Sequence, residues 1–445
     1  MPANYPPVRA GDALAGMGTP DLRGTQGTFT FYTDDPGLRA EDVPGGRIVT
    51  VNLKDGHAAL TLEGPPNSLR RDGAYAVAQI DVDIDPAQPY ARVAIGDTQA
   101  IVREGEWSDW LAADFPLIPH VASAHGMVRV YARQLHPRFE LYVSAVNVDP
   151  SAPDLPISTP ANFSRDIARR IGRFSTLGIA EDTSALRQGV FNLQEFEQQA
   201  ALVEAEEKRL FDDALSRFHQ GFLFVYFSSV DQNSHILWGA YESDLLRVYQ
   251  AMDDRVGEAR RRTPQAELMV MSDHGFAPFT RAVNLNNWLE QQGWLARRSS
   301  EAIDWAHTKA YAMGLNALYI NTAGRERSGI VSTQERGPLI EQIRAALLEM
   351  RDGGAVVVKS ATPTRNGPDL IVGYARNYRA SWQTGTGGFG GAAIEDNIDA
   401  WVGDHCIDAG EVPGVLFSTR RLAAGSPSLV DLAVTILGHF GLAAK

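Results

Sequence analysis

Residues 268–278 read LMVMSDHGFAP, an apolar run that stops abruptly at Ser272, Asp273, His274 and Gly275. A run of this length, bounded by a turn residue, reads as a buried strand of a parallel sheet. In open sheets of that kind, ligands sit beyond the carboxyl ends of the strands, where Asp273 and His274 fall. Successive strand side chains point to opposite faces, so two adjacent ligands for one ion require that the strand has ended. Gly275 is expected to make that turn by adopting positive φ. A carboxylate beside an imidazole in a polar loop is half of a Zn²⁺-type site. Alone, Asp-His-Gly is no more than a turn. What changes that reading is a second pair upstream and a third histidine downstream.

The second pair follows another apolar run, 222–228 (FLFVYFS), which leads into Val230-Asp231-Gln232-Asn233-Ser234-His235. If a helical turn begins there, Asp231 and His235 at i and i+4 share one face. Between the two runs lies an amphipathic segment, 241–262, with apolar residues at Leu245, Leu246, Val248, Tyr249, Met252 and Val256. Strand, helix, strand in that spacing is a βαβ unit with a right-handed crossover, hence a parallel sheet. Both Asp/His pairs then fall at the same sheet edge. His405 sits in a glycine-flanked loop, Gly403-Asp404-His405, before the apolar run 413–417, and can reach that edge too. Asp404 reads as a carboxylate that orients a ligand rather than a ligand itself.

Outward from this core the chain changes character. Residues 1–45 carry many turn signals and read as irregular backbone. From 46 to 149 short alternating runs recur (47–51, 57–62, 75–83, 90–95, 98–102, 127–134, 139–146), as in an antiparallel β-rich module. Asp81, Asp83 and Asp85 imitate the start of a calcium loop, but Pro86 and Arg92 stand where glycine and glutamate are needed, so a solvated strand is expected. A proline-rich return linker, 149–160, precedes helical patterns at 163–177 and 193–218. Beyond the central stretch come strand patterns at 317–321 and 355–359 and helical ones at 339–350 and 429–440. The glycine-rich 384–391 reads as a mobile loop near the site, not as a dinucleotide fingerprint.

Composition bounds the function. The 445 residues are 44% hydrophobic and 21% charged, ordinary values for a globular protein. A net charge of −13 argues against a nucleic acid polymer as the main partner. No run is long enough to span a membrane, and residues 1–12 lack the pattern of a signal peptide. Cys406 is the sole cysteine, so no intrachain disulfide forms.

Asp231…His235, then Ser272-Asp273-His274-Gly275, then Gly403-Asp404-His405, in that order, resemble the alkaline phosphatase superfamily, and most closely its type I phosphodiesterase/nucleotide pyrophosphatase branch. Tyr5-Pro6-Pro7 and the wording at 16–20 are similar to that branch too. The resemblance covers residues 2–33 and 162–442. It implies an α/β fold with a mostly parallel sheet sandwiched by helices, formed by 1–45 and 150–445 and interrupted by a β-rich insert at 46–149. It implies two divalent cations, Zn²⁺ or alternatively Mn²⁺, with Asp231, His235 and His405 on one and Asp273 and His274 on the other. The family's nucleophile, a Thr or Ser opening a helix, and a further aspartate have no counterpart here. Thr19, Thr25 and Thr28 read as turn and packing residues.

The resemblance therefore implies a two-metal phosphodiesterase or pyrophosphatase of small phosphate esters, impaired because the nucleophile is expected upstream of Met1. That upstream segment is also where an export signal would lie. Two alternatives stand beside it. One is a non-catalytic truncated fragment whose β-rich module binds a partner; the other is a sulfatase or phosphomutase of the same superfamily.

Overall fold

The computed structural model describes residues 5–299, 302–422 and 427–442; residues 2–4, at the start of the resemblance, lie outside them. The chain divides into two compact units, Met1–Gln232 and Asn233–Lys445.

The first unit is built mainly of antiparallel sheet. Strands His57–Pro66, Tyr75–Ile84, Tyr90–Ile95 and Thr98–Arg103 pair in sequence order. Alternate residues such as Leu60, Leu62, Ile80, Val82 and Val93 are buried. They meet Phe115, Val128 and Leu141 from neighbouring strands in one core. Asp83 lies within Tyr75–Ile84, held by His57 and by a forked contact from Arg92, while Asp85 accepts the N–H groups of Ala87 and Gln88. These acids decorate a sheet face and a turn, as expected of a solvated strand.

Residues 1–45 are not irregular throughout. Phe29–Thr33 (FTFYT) is a strand buried along its whole length, paired parallel to Gly46–Thr50 and antiparallel to Glu140–Val143. Six β-formers between Gly27 and Asp34 make a run too short to stand out, yet a central strand needs no more. Leu111–Ile118 is a second strand that the alternation did not reveal. The long helix Leu193–Arg217 starts on a capping box, Asn192 with Glu195, which satisfies two of the orphan N–H groups of its first turn.

The second unit has a separate core. Strands Ala310–Ala312, Ala317–Ile320, Leu370–Tyr374 and Val358–Pro363 form a sheet, over which Ile343 and Leu347 of helix Thr333–Leu348 pack. Another sheet centres on Ala277–Val283, parallel to Asn377–Ala380 and antiparallel to Ile394–Asp396 and Gly403–Asp404.

The chain is mixed α/β, but the expected βαβ sandwich is not seen among the described residues. The helix Glu242–Arg262 forms close to its expected bounds. Residues 222–228, by contrast, form no strand; the N–H of Ser228 goes to Glu207 Oε1 at 2.7 Å. Met269–Met271 is a strand, but it pairs antiparallel with Leu416–Ser418. A strand exists only where a neighbour supplies its ladder, and an apolar run cannot say which neighbour that is. Phe222, Phe224 and Phe417 are left exposed. The glycine-rich loop is tied to the helix beside it. Asn286 and Asn287, at the start of helix Leu285–Gln291, bond the carbonyls of Gly388 and Gly390, and Asn284 bonds that of Ala392.

Candidate metal centre

Strand pairing brings the downstream histidine to the central stretch. The chain leaves Met269–Met271, turns through Ser272–Phe276, and enters a different sheet as Ala277–Val283. Ala277 and Pro278 pair with Asp404 and Gly403, so His405 emerges beside His274. The two imidazoles stack, with centroids 3.6 Å apart and planes 14° apart. Gly275 makes this turn differently from expectation: its φ is not positive. Glycine is required by close approach instead, since a Cβ would lie 2.9 Å from the carbonyl oxygen of Pro413.

His235 arrives by a different route. It lies with Asp231 on one face of the helix Ser229–Leu237. Gly403 lets this helix approach. A Cβ there would meet the Ser234 carbonyl oxygen at 2.5 Å and the Trp238 Cβ at 2.6 Å. The Nδ1 of His235 lies 2.8 Å from the Gly403 carbonyl, which makes Nδ1 the protonated nitrogen and leaves Nε2 with its lone pair. Trp401 stacks on the other face of the ring, 3.7 Å between centroids. Phe276 makes T-shaped contacts with the rings of His235, His274 and His405.

The expected site residues are thus largely brought together. His235 and His405 lie 5.0 Å apart by ring centroid. Asp231, His235 and His405 each offer one ligand atom, all within 4.8 Å of one another. Asp273 Oδ1 is 3.5 Å from His274 Nε2. No group of three potential ligands that includes this pair is found among the described residues. Cys406 joins Asp404 and His405 in a second such group, its sulfur 3.8 Å from His405 Nδ1.

Burial keeps two of the imidazoles uncharged. Burial pushes His235 down to about 3, the charge of His405 adds to it, and Asp404 offsets only part. Burial likewise pushes His405 down to about 4, with His274 contributing. Both rings are therefore neutral at pH 7, the form that binds a cation. Asp404 is the reverse case. Burial opposes its charge, but Arg379, His235 and the Cys406 N–H outweigh that and hold the carboxyl well below the usual carboxylate range. Its Oδ1 accepts the N–H groups of His405 and Cys406, both at 2.7 Å, and its Oδ2 accepts Trp401 Nε1 and Arg379 Nε.

The family model for type I phosphodiesterase/nucleotide pyrophosphatase matches residues 110–392. The chain belongs to this family. No curated protein and no solved structure matches it. Membership in the type I phosphodiesterase/nucleotide pyrophosphatase family places the chain, at family level, among phosphoester hydrolases. No helix among the described residues is long and apolar enough to cross a membrane.

Other polar residues have ordinary roles. His307 pairs with Asp304 at the surface, as do His57 with Asp83 and His125 with Asp154. Thr25 bonds Asp21, and Thr19 bonds the Gly16 carbonyl; both stabilise turns. Asn316 does more, donating to the carbonyls of Val372 and Cys406 and so tying the sheet to the residue after His405. Arg379, Trp401 and Phe276 surround the histidines and went unnoticed in the sequence. For Arg379 no signal stood out: three residues after Arg376, it reads as an ordinary surface cation.

Proposed function

We propose that the chain is a divalent-metal phosphoesterase of the diesterase or pyrophosphatase type. Asp231, His235 and His405 would hold one cation, with Zn²⁺ favoured by the oxygen–nitrogen donor set and Mn²⁺ the alternative. Asp273 and His274 would contribute to a second. The observation that carries this reading is the convergence of His235, His274 and His405, the first buried and the last half-buried, with a carboxylate on the helix of His235.

When bound, such cations supply charge neutralisation to the transferring phosphoryl group and its leaving oxygen. The chain's own residues do the rest. The Gly403 carbonyl fixes the tautomer of His235, Trp401 fixes its ring plane, and Asp404 fixes the His405 backbone. Phe276 and Trp401 exclude water from the apolar side of the cluster. The family match favours phosphate esters over the sulfatase and phosphomutase alternatives.

Metal content of the purified protein, together with hydrolysis of bis(4-nitrophenyl) phosphate and 4-nitrophenyl phosphate, tests this reading. Bound zinc or manganese with diester cleavage above monoester cleavage is expected. Protein that carries no metal, takes none up and is indifferent to chelator would sink it.

A further inference from the structure

The geometry points to Arg379 as a positioning residue that holds the His405 loop in metal-binding form by clamping Asp404. This deepens the metal-centre reading and rests on it. Arg379 is the largest fully buried side chain among the described residues, and its salt-bridge partner Asp404 is buried as completely. The guanidinium is fixed on more than one side. Nη1 donates to the Ala380 carbonyl at 3.0 Å, and the Trp382 ring lies under it at 4.0 Å, with Phe279 farther off at 5.6 Å.

The consequences run through Asp404 in two directions. One carboxylate oxygen takes the arginine and Trp401 Nε1, and Trp401 is the ring stacked on His235. The other oxygen gathers the backbone N–H groups of His405 and Cys406. A single buried ion pair thus sets the plane of one histidine and the backbone of another. A carboxylate this deeply buried needs an equally fixed cation to hold its orientation, and without that anchor its oxygens are no longer aimed at all three N–H groups. Arg379 also arrives on its own strand, Asn377–Ala380, in parallel register with Ala277–Val283, where it faces Ala282. The clamp thereby links the strand leaving the His274 turn to the loop carrying His405. Partners in this outer position typically change metal affinity by about 10–100-fold when removed.

The test is a double-mutant cycle on the full chain, comparing Arg379→Met, Asp404→Asn and the double variant. Zn²⁺ affinity is read by competition with a chromogenic chelator, and hydrogen exchange of the His405 and Cys406 amides is followed in EDTA. Each single variant is expected to lose about 10–100-fold in affinity, the double to lose no more, and both amides to exchange faster. Melting points in EDTA and far-ultraviolet circular dichroism establish that the variants are folded. Should Arg379→Met fail to fold, Arg379→Lys keeps the charge but loses the planar fork, and a smaller loss of about tenfold is expected with faster amide exchange. Wild-type affinity with protected amides in a folded Arg379 variant overturns the inference, as do losses that add in the double variant. Wild-type protein without zinc affinity overturns the metal reading itself, which the wild-type arm alone reports.

Discussion

At the scale of single residues, the site depends on imidazoles kept neutral by burial, and this fixes a pH dependence. His235 and His405 have folded-state values near 3 and 4, against about 6.5 in an unfolded chain. Between those limits the unfolded chain binds more protons than the folded one, so stability falls as pH drops. Above about pH 6.5 neither state is protonated and the dependence vanishes. At pH 5 the penalty is on the order of 2 kcal/mol for each ring. Urea unfolding in EDTA at pH 7.5 and pH 5 should show this loss, and His405→Gln should remove part of it. An unchanged midpoint across that range would mean the rings are already charged or are reached by water. The ligand types were legible because Asp and His seldom follow apolar runs twice without reason. Arg379 was not, because a single arginine in a sequence defaults to the surface.

At the scale of elements, two contacts decide whether the site assembles. Gly403 sits where the helix Ser229–Leu237 crosses strand Gly403–Asp404, and any Cβ there collides with backbone at Ser234. Gly403→Ala should separate the two, break the His235 bond to the Gly403 carbonyl, and cost about 1–3 kcal/mol together with most of the zinc affinity. Gly438→Ala is the control. It lies in helix Leu429–His439 with nothing within 4 Å, so substitution should leave affinity unchanged and raise stability by up to about 1 kcal/mol. Equal effects of the two variants would refute the crossing argument. The second contact is Asn286, fully buried, which both donates to the Ala312 carbonyl and accepts its N–H while also holding Gly388. Asn286→Ala leaves those groups unpaired and should cost about 1–3 kcal/mol, freeing the glycine-rich loop to proteolysis. A loop as resistant as wild type would show that it is held by other means. Periodicity revealed most of these elements, including Tyr90–Ile95 at its stated limits. It failed at 222–228 and at Phe29–Thr33, where pairing partners, not the run itself, determine the outcome.

For the whole molecule, metal binding and folding should be one equilibrium, since His405 is distant in sequence from Asp231 and His235 and meets them only in the folded chain. A cation that binds the folded state alone stabilises it by about 2.7 kcal/mol at a hundredfold excess over its dissociation constant. Zn²⁺ should therefore raise the thermal midpoint at pH 7.5, EDTA should reverse the rise, and the gain should shrink at pH 5 as protons compete for the imidazoles. The net charge of −13 invites a simpler explanation, because any divalent cation screens an acidic protein. Mg²⁺ separates the two. It delivers the same charge but prefers oxygen ligands in octahedral array and has little affinity for paired imidazoles. A midpoint raised by Zn²⁺ and not by equimolar Mg²⁺, and abolished in His405→Ala, is the signature of a built site. If Mg²⁺ matches Zn²⁺, or if His405→Ala responds like wild type, the cations act on the surface and the cluster of histidines is not what holds them.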